Sequence, residues 1–259
     1  MDLLGITALV TGSNRGVGKA LVEALLERGA SRVYATARDV GAVESLVALA
    51  PERVVPLHLD LLDLASIATA ADTASDVTLL VNNGAILEFG AGLECERDNI
   101  LRHLMTNTMG SFDVIRAFAP VLQRNGGGRI VTIMSLQSYA GSSGLDGYSA
   151  SKAALHSLSQ SLRPVLEAQG VTISGVYPGG IDTDMLKGLD APKSSPRTVA
   201  EGTLDGIERD EQDIFPDPVA RLLAEIWFAD PKRYEELFAK TPDLVAVLDA
   251  ARADGRLAM

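Results

Sequence analysis

The chain has 259 residues, 47% of them hydrophobic, and its 34 Asp and Glu against 23 Lys and Arg leave a net charge of −11. Nucleic acid and anionic membranes are bound largely through cations, so neither is an expected partner, and any anionic ligand must be held by local donors. The single cysteine, Cys95, cannot close an internal disulfide, and the three histidines fall in no metal-ligand spacing, so no metal is expected.

No linker, repeat or low-complexity tract divides the chain, and the expected organisation is one α/β domain over residues 1–259. Residues 1–5 lack a basic stretch leading into an apolar one, and no apolar run approaches the roughly 18 residues of a membrane span, which predicts a cytoplasmic protein.

The first predicted element is a short apolar strand over 6–10, bounded by Gly5 and Gly12, as expected for a strand buried on both faces. It runs into Thr11-Gly12-Ser13-Asn14-Arg15-Gly16-Val17-Gly18 and then into Ala20, Leu21, Ala24 and Leu25 at helical spacing. A strand, a glycine turn and a helix start make a phosphate site, because backbone can approach the ligand, free N–H groups point at it and the helix dipole favours negative charge. The spacing is Gly-x-x-x-Gly-x-Gly, not the commoner Gly-x-Gly-x-x-Gly.

A second strand over 32–36 ends in Ala37-Arg38-Asp39. Guanidinium groups from Arg15 and Arg38 at one strand end suit a 2′-phosphate, hence NADP(H) rather than NAD(H); the competing reading gives the ribose to Asp39. A helix over 40–49 and a third strand over 54–59 lead to Asp60 and Leu61, where Asp60 or Asp63 can cap a helix over 64–71. A fourth strand over 77–81 precedes Asn82-Asn83-Gly84-Ala85.

A long helix is predicted over 96–122, and Asn107 sits inside it although asparagine is a poor helix-interior residue. A fifth strand over 130–134 delivers Ser135, and a helix over 148–167 opens with Tyr148 and Lys152. Residues four apart on a helix share a face, so the ammonium is expected near the phenol, lowering its pKa from about 10 by roughly 1–3 units toward the range of general acid–base work. A sixth strand over 171–177 ends in Pro178-Gly179-Gly180-Ile181-Asp182-Thr183. A polar, Pro-containing stretch over about 184–215 reads as a substrate lid. The segment over about 216–259 reads as helices at 218–229, at 232–239 and from Pro242, with no seventh strand signalled.

The order of these motifs over residues 5–183 resembles the short-chain dehydrogenase/reductase family. The resemblance implies a Rossmann-like, doubly wound parallel sheet, here with a helical C-terminal extension. It implies nicotinamide cofactor contacts from Gly12, Asn14, Arg15, Gly16, Val17, Gly18, Arg38, Asp60, Leu61, Asn83, Gly84, Tyr148, Lys152, Pro178, Gly179, Ile181 and Thr183, with Asp60 against the adenine and Ile181 over the nicotinamide. The family's Asn-Asn-Ala-Gly turn has its last two residues exchanged here, and Asn82 is expected to be structural while Asn83 meets the cofactor.

Carried over in the same way, Asn107, Ser135, Tyr148 and Lys152 form the catalytic set: Tyr148 the proton donor, Ser135 polarising the same oxygen, Lys152 holding the ribose and Asn107 maintaining a water path to the lysine. Ser135 lies thirteen residues before Tyr148, the family's separation, which favours it over Ser138. Gln137, Tyr139, Leu145, Met185 and Leu186 are expected around a small-molecule substrate, and the helices bearing Asn107 and Tyr148 are expected to pair in a homodimer. The implied activity is NADPH-dependent reduction of a ketone or aldehyde, with a catalytically silent NADP(H)-binding sensor as the alternative.

Overall fold

The computed structural model describes residues 1–90, 92–188 and 192–257. The chain alternates strands and helices: β1 (Thr7–Val10), α1 (Gly16–Glu27), β2 (Arg32–Ala37), α2 (Glu44–Leu49), β3 (Val54–His58), α3 (Leu64–Thr73), β4 (Leu79–Asn82), α4 (Arg97–His103), α5 (Ser111–Arg124), β5 (Gly128–Ile133), α6 (Asp146–Glu167), β6 (Val171–Val176), α7 (Pro196–Glu208) and β7 (Asp213–Ile214). Three further helices, α8 (Pro218–Ala229), α9 (Pro231–Ala239) and α10 (Thr241–Ala253), follow.

The strands form one parallel sheet in the order β3-β2-β1-β4-β5-β6-β7. Val10 pairs with Ala35 on one side and with Val81 on the other. Chain order reverses at β1 and β4, and there the strand ends part to leave a crevice.

Alternation along each strand feeds two core layers. Ala8, Val10, Leu79, Val81 and Val131 pack with Leu21, Leu25, Val199 and Leu204 of α1 and α7. Leu9, Leu80 and Ile130 face the other way, onto Ile115, Phe118 and Leu122 of α5. A third cluster joins Met134, Leu136, Leu155 and Tyr177 to Leu223, Tyr234, Phe238 and Leu248, so the C-terminal helices are packed onto the domain. Tyr234 is buried, and its hydroxyl donates to the Leu136 carbonyl at 2.8 Å.

Three expectations need correction. A seventh strand is present: β7 pairs with β6 through Gly175–Asp213 and Val176–Ile214, and two residues are too few for alternation to be read. The stretch over 184–215 is not one lid, because α7 lies within it and buries Val199, Ala200, Leu204 and Ile207 against α1; Leu189, Asp190 and Ala191 of the expected lid lie outside the described residues. The long helix over 96–122 is interrupted by a π-helical stretch, Leu104–Gly110, around Asn107. Smaller departures are a 3₁₀ turn, Val40–Val43, before α2, and strand ends that move by one or two residues.

Candidate active site

The crevice has a volume of about 1370 Å³ and is lined by the ends of β1, β2, β4 and β5, by α1 and α6, and by residues following β6. That exceeds the roughly 300–1,000 Å³ of a single small-molecule pocket, leaving room for two ligands side by side.

Its floor at the nucleotide end is backbone. Gly12 and Gly16 adopt φ of +67° and +54°, and a Cβ on Gly18 would stand 2.1 Å from the Gly12 carbonyl oxygen. Arg15, the N-cap of α1, makes no side-chain cap, so the first N–H groups of the helix are open to an anion. The turn is braced from below: Thr11 Oγ1 accepts from the backbone N–H groups of Asn83 and Gly84, each at 2.8 Å, and Ser13 Oγ donates to the Val10 carbonyl at 2.7 Å. A glycine floor against an uncapped helix N-terminus fits a dinucleotide phosphate.

Gly12, Asn14, Arg15, Gly16, Val17, Gly18, Arg38, Asp60, Leu61, Asn83, Gly84, Pro178, Gly179, Ile181 and Thr183 all line the crevice. Asn82 bridges elements as expected, its Nδ2 donating to the Ser111 carbonyl at 2.8 Å. Asn83 Nδ2 donates to the carbonyls of Thr11 and Gly12, at 2.8 and 3.3 Å, so its side chain holds the glycine turn. Asp39 Oδ1 accepts from Gly41 N at 3.0 Å, and Asp63, not Asp60, caps α3. Arg15 and Arg38 are exposed at the rim, Arg15 with Asp184 at 3.4 Å.

At the other end, Ser135 and Tyr148 both face the crevice, and Ser135 Oγ accepts from Gln137 N at 3.2 Å. Ser138 is buried and does not line the crevice, so the spacing that favours Ser135 agrees with the geometry. Lys152 Nζ lies 5.7 Å from the Tyr148 ring centroid and donates to the Ile133 carbonyl at 2.7 Å.

The expected lowering of the phenol pKa is not seen. Burial pushes Tyr148 up to about 12, opposed only by the Ser135 hydroxyl, and burial pushes Lys152 down to about 8. Lys152 is buried and Tyr148 half-buried at the crevice wall, and there the cost of carrying charge outweighs their mutual influence.

Asn107 is fully buried, but its amide does not turn toward the lysine. Its Nδ2 donates to the Ile86 carbonyl and to Ser151 Oγ, both at 3.0 Å, and its Oδ1 accepts from Ile86 N at 2.8 Å. The side chain clamps the irregular stretch following β4 to α6.

Gln137, Leu145, Met185 and Leu186 line the crevice, whereas Tyr139 does not. Tyr139 turns into an aromatic cluster, with ring centroids 4.9 Å from both Tyr177 and Trp227. Trp227 of α8 and Tyr234 of α9 are among the rings that pack around it.

Two residues were not singled out from the sequence. His103 is buried edge-on to Tyr148 at 6.3 Å, accepts at Nε2 from Glu88 N at 3.0 Å and faces the Asn99 carbonyl with Nδ1 at 2.8 Å, an arrangement that places its proton on Nδ1. Asp217 is buried and accepts from Gly179 N and Ala220 N, both at 3.0 Å, so one carboxylate caps α8 and holds the Pro178-Gly179 turn. Burial raises its pKa, against those N–H donors. An Asp before a Pro at a helix start was the available signal for it.

A parallel sheet with a glycine-floored crevice at its switch point is the architecture of dinucleotide-binding oxidoreductases. The short chain dehydrogenase model matches residues 6–194. A 3-oxoacyl-(acyl-carrier-protein) reductase of Vibrio harveyi is 32% identical over 194 residues, 73% of this chain and 79% of the relative. A sorbitol dehydrogenase of Cereibacter sphaeroides is 33% identical over 74% of this chain and 76% of its own. Among solved structures, a short chain dehydrogenase from Burkholderia cenocepacia in complex with NADP superimposes with a TM-score of 0.86 at 32% identity, covering 93% of this chain and 100% of that one. The chain belongs to the short-chain dehydrogenase family, whose oxidoreductases bind a nicotinamide cofactor and act on CH–OH and C=O groups.

Proposed function

We propose that the protein is an NADP(H)-dependent reductase of ketones or aldehydes, running in reverse as an alcohol dehydrogenase, with Tyr148 as its general acid and base. The observation that carries the reading is the pair of hydroxyls, Ser135 and Tyr148, lining the same crevice with Lys152 buried 5.7 Å from the Tyr148 ring. When bound, the nicotinamide supplies the hydride and the protein supplies position and protons.

Ser135 and Tyr148 converge on the substrate oxygen. With its pKa near 12 the phenol carries its proton at neutral pH, so it can donate as negative charge grows on that oxygen, and it recovers the proton when an alcohol is oxidised. Ser135 donates a second hydrogen bond to the same oxygen. Lys152 keeps a cation beneath the phenol, and Asn107 fixes the Ile86 backbone beside the nicotinamide site. Arg15 and Arg38 at the ribose end, with Asp39 engaged as a cap, support a 2′-phosphate, as does the NADP complex of the Burkholderia cenocepacia relative.

The exposed stripe of Leu101, Met105 and Met109 supports pairing with a second copy, and the free thiol of Cys95 is compatible with a reducing, cytoplasmic setting. The test is cofactor absorbance with NADPH and NADH over a panel of ketones, aldehydes and alcohols, repeated for Tyr148→Phe. NADPH should be preferred, and the variant should bind it while losing about 100-fold or more in turnover. Undiminished turnover in the variant overturns the role of Tyr148, and binding with no turnover of any compound favours a silent sensor.

A further inference from the structure

Resting on that reading, we infer that the substrate is an uncharged carbonyl compound with an extended apolar body, which lies along a wall built by the three C-terminal helices. The wall starts beside the reacting hydroxyls at Leu145 and Met185 and continues through Leu223 of α8, Phe238 of α9 and Val245 and Leu248 of α10, all lining the same crevice as Ser135 and Tyr148. Among the described residues, every side chain that α8, α9 and α10 contribute to the crevice is apolar.

Gln137, Arg102 and Asp184, which line the same crevice, each have a partner within the protein. Gln137 sits beside the hydroxyls, but its Nε2 donates to Ser142 Oγ at 3.3 Å and its Oε1 accepts from Ser149 Oγ at 2.9 Å. Arg102, at the α4 side of the mouth, is held by Glu88 at 2.6 Å, and Asp184 lies with Arg15 at 3.4 Å. A carboxylate or a row of hydroxyls lying against the side chains of α8, α9 and α10 would lose water there without gaining partners from them, which is unfavourable. An alkyl or ring system gains from each carbon buried.

The wall is also fixed in place. Leu223, Phe238 and Leu248 are buried members of the third core cluster, and the Tyr234 hydroxyl ties α9 to the backbone next to Ser135. A preformed apolar surface continuous with the reacting groups favours long substrates over short ones in kcat/KM.

The experiment is a homologous series of unbranched methyl ketones, from 2-butanone to 2-decanone, assayed with NADPH alongside a hydroxylated and a carboxylate-bearing ketone. Tyr148→Phe serves as the control and Val245→Lys as the variant of the wall. The expected result is a kcat/KM rising about two- to fourfold per methylene until the wall is covered. The polar ketones should fall below the long apolar ones, and Val245→Lys should cost the longest ketone at least tenfold more than the shortest. A flat series, a preference for the polar ketones, or a Val245→Lys loss equal across the series overturns the inference while leaving the reductase reading intact, provided Tyr148→Phe still abolishes turnover. No turnover of any carbonyl compound, or full activity in Tyr148→Phe, overturns the reductase reading and this inference with it.

Discussion

Replacing Lys152 by methionine isolates the cost of holding an ammonium in the crevice floor. Lys152 is 3% exposed, and burial lowers its pKa from 10.5 to about 8. At roughly 1.4 kcal/mol per pH unit, that fall makes the charged form about 3 kcal/mol less favourable in the fold than in the unfolded chain. A base whose folded-state pKa lies below its unfolded value binds fewer protons when folded, so between about pH 8 and about pH 10.5 the unfolded chain holds the extra proton and stability rises with pH. Lys152→Met lacks the group and should lack that rise. Urea denaturation of both proteins from pH 7 to pH 10 is the assay, and contributions from exposed lysines and tyrosines cancel in the difference. Wild type should gain about 2–3 kcal/mol on the variant across the series. A difference that does not change with pH refutes the reasoning, because Nζ would then be as well solvated in the fold as in the unfolded chain.

Three other outcomes are expected. Asp217→Ala removes the cap of α8 and orphans Gly179 N, which should cost about 2–4 kcal/mol in denaturant unfolding and raise the KM for NADPH, while Asp217→Asn should recover part of both. Gly18→Ala places a methyl 2.1 Å from the Gly12 carbonyl and 2.6 Å from Asn83 Nδ2, so calorimetric titration should show NADPH binding weakened at least about tenfold. Because burial holds Tyr148 at about 12, carbonyl reduction should stay nearly flat from about pH 6 up to the loss of the Lys152 proton near pH 8, whereas alcohol oxidation, which needs the phenolate, should climb over the same range by up to about tenfold per unit. Equal pH dependence in the two directions would count against Tyr148 as the proton carrier.

The parts of this molecule that are legible in the sequence are those with a local physical signature. The buried strands that open and fill the sheet read as apolar runs, the glycine turn reads as a phosphate cradle, and Pro218 marks the first residue of α8. What escapes is set by contacts between distant residues. Tyr139 is four residues from Ser135 on the same loop, yet Tyr177 and Trp227 draw it away from the crevice. The Tyr148 pKa follows the desolvation of a floor that Tyr-x-x-x-Lys spacing does not encode. Asn83 is engaged by Thr11, 72 positions away, and β7 exists because β6 offers an edge.

The bond from Tyr234 to the Leu136 carbonyl reaches across 98 positions to the residue following Ser135. Mutations that reshape α9 to admit a new compound would pull on the backbone that aims the polarising hydroxyl. In a lineage carrying this tether, selectivity and turnover are inherited together, and drift in one is visible to selection acting on the other.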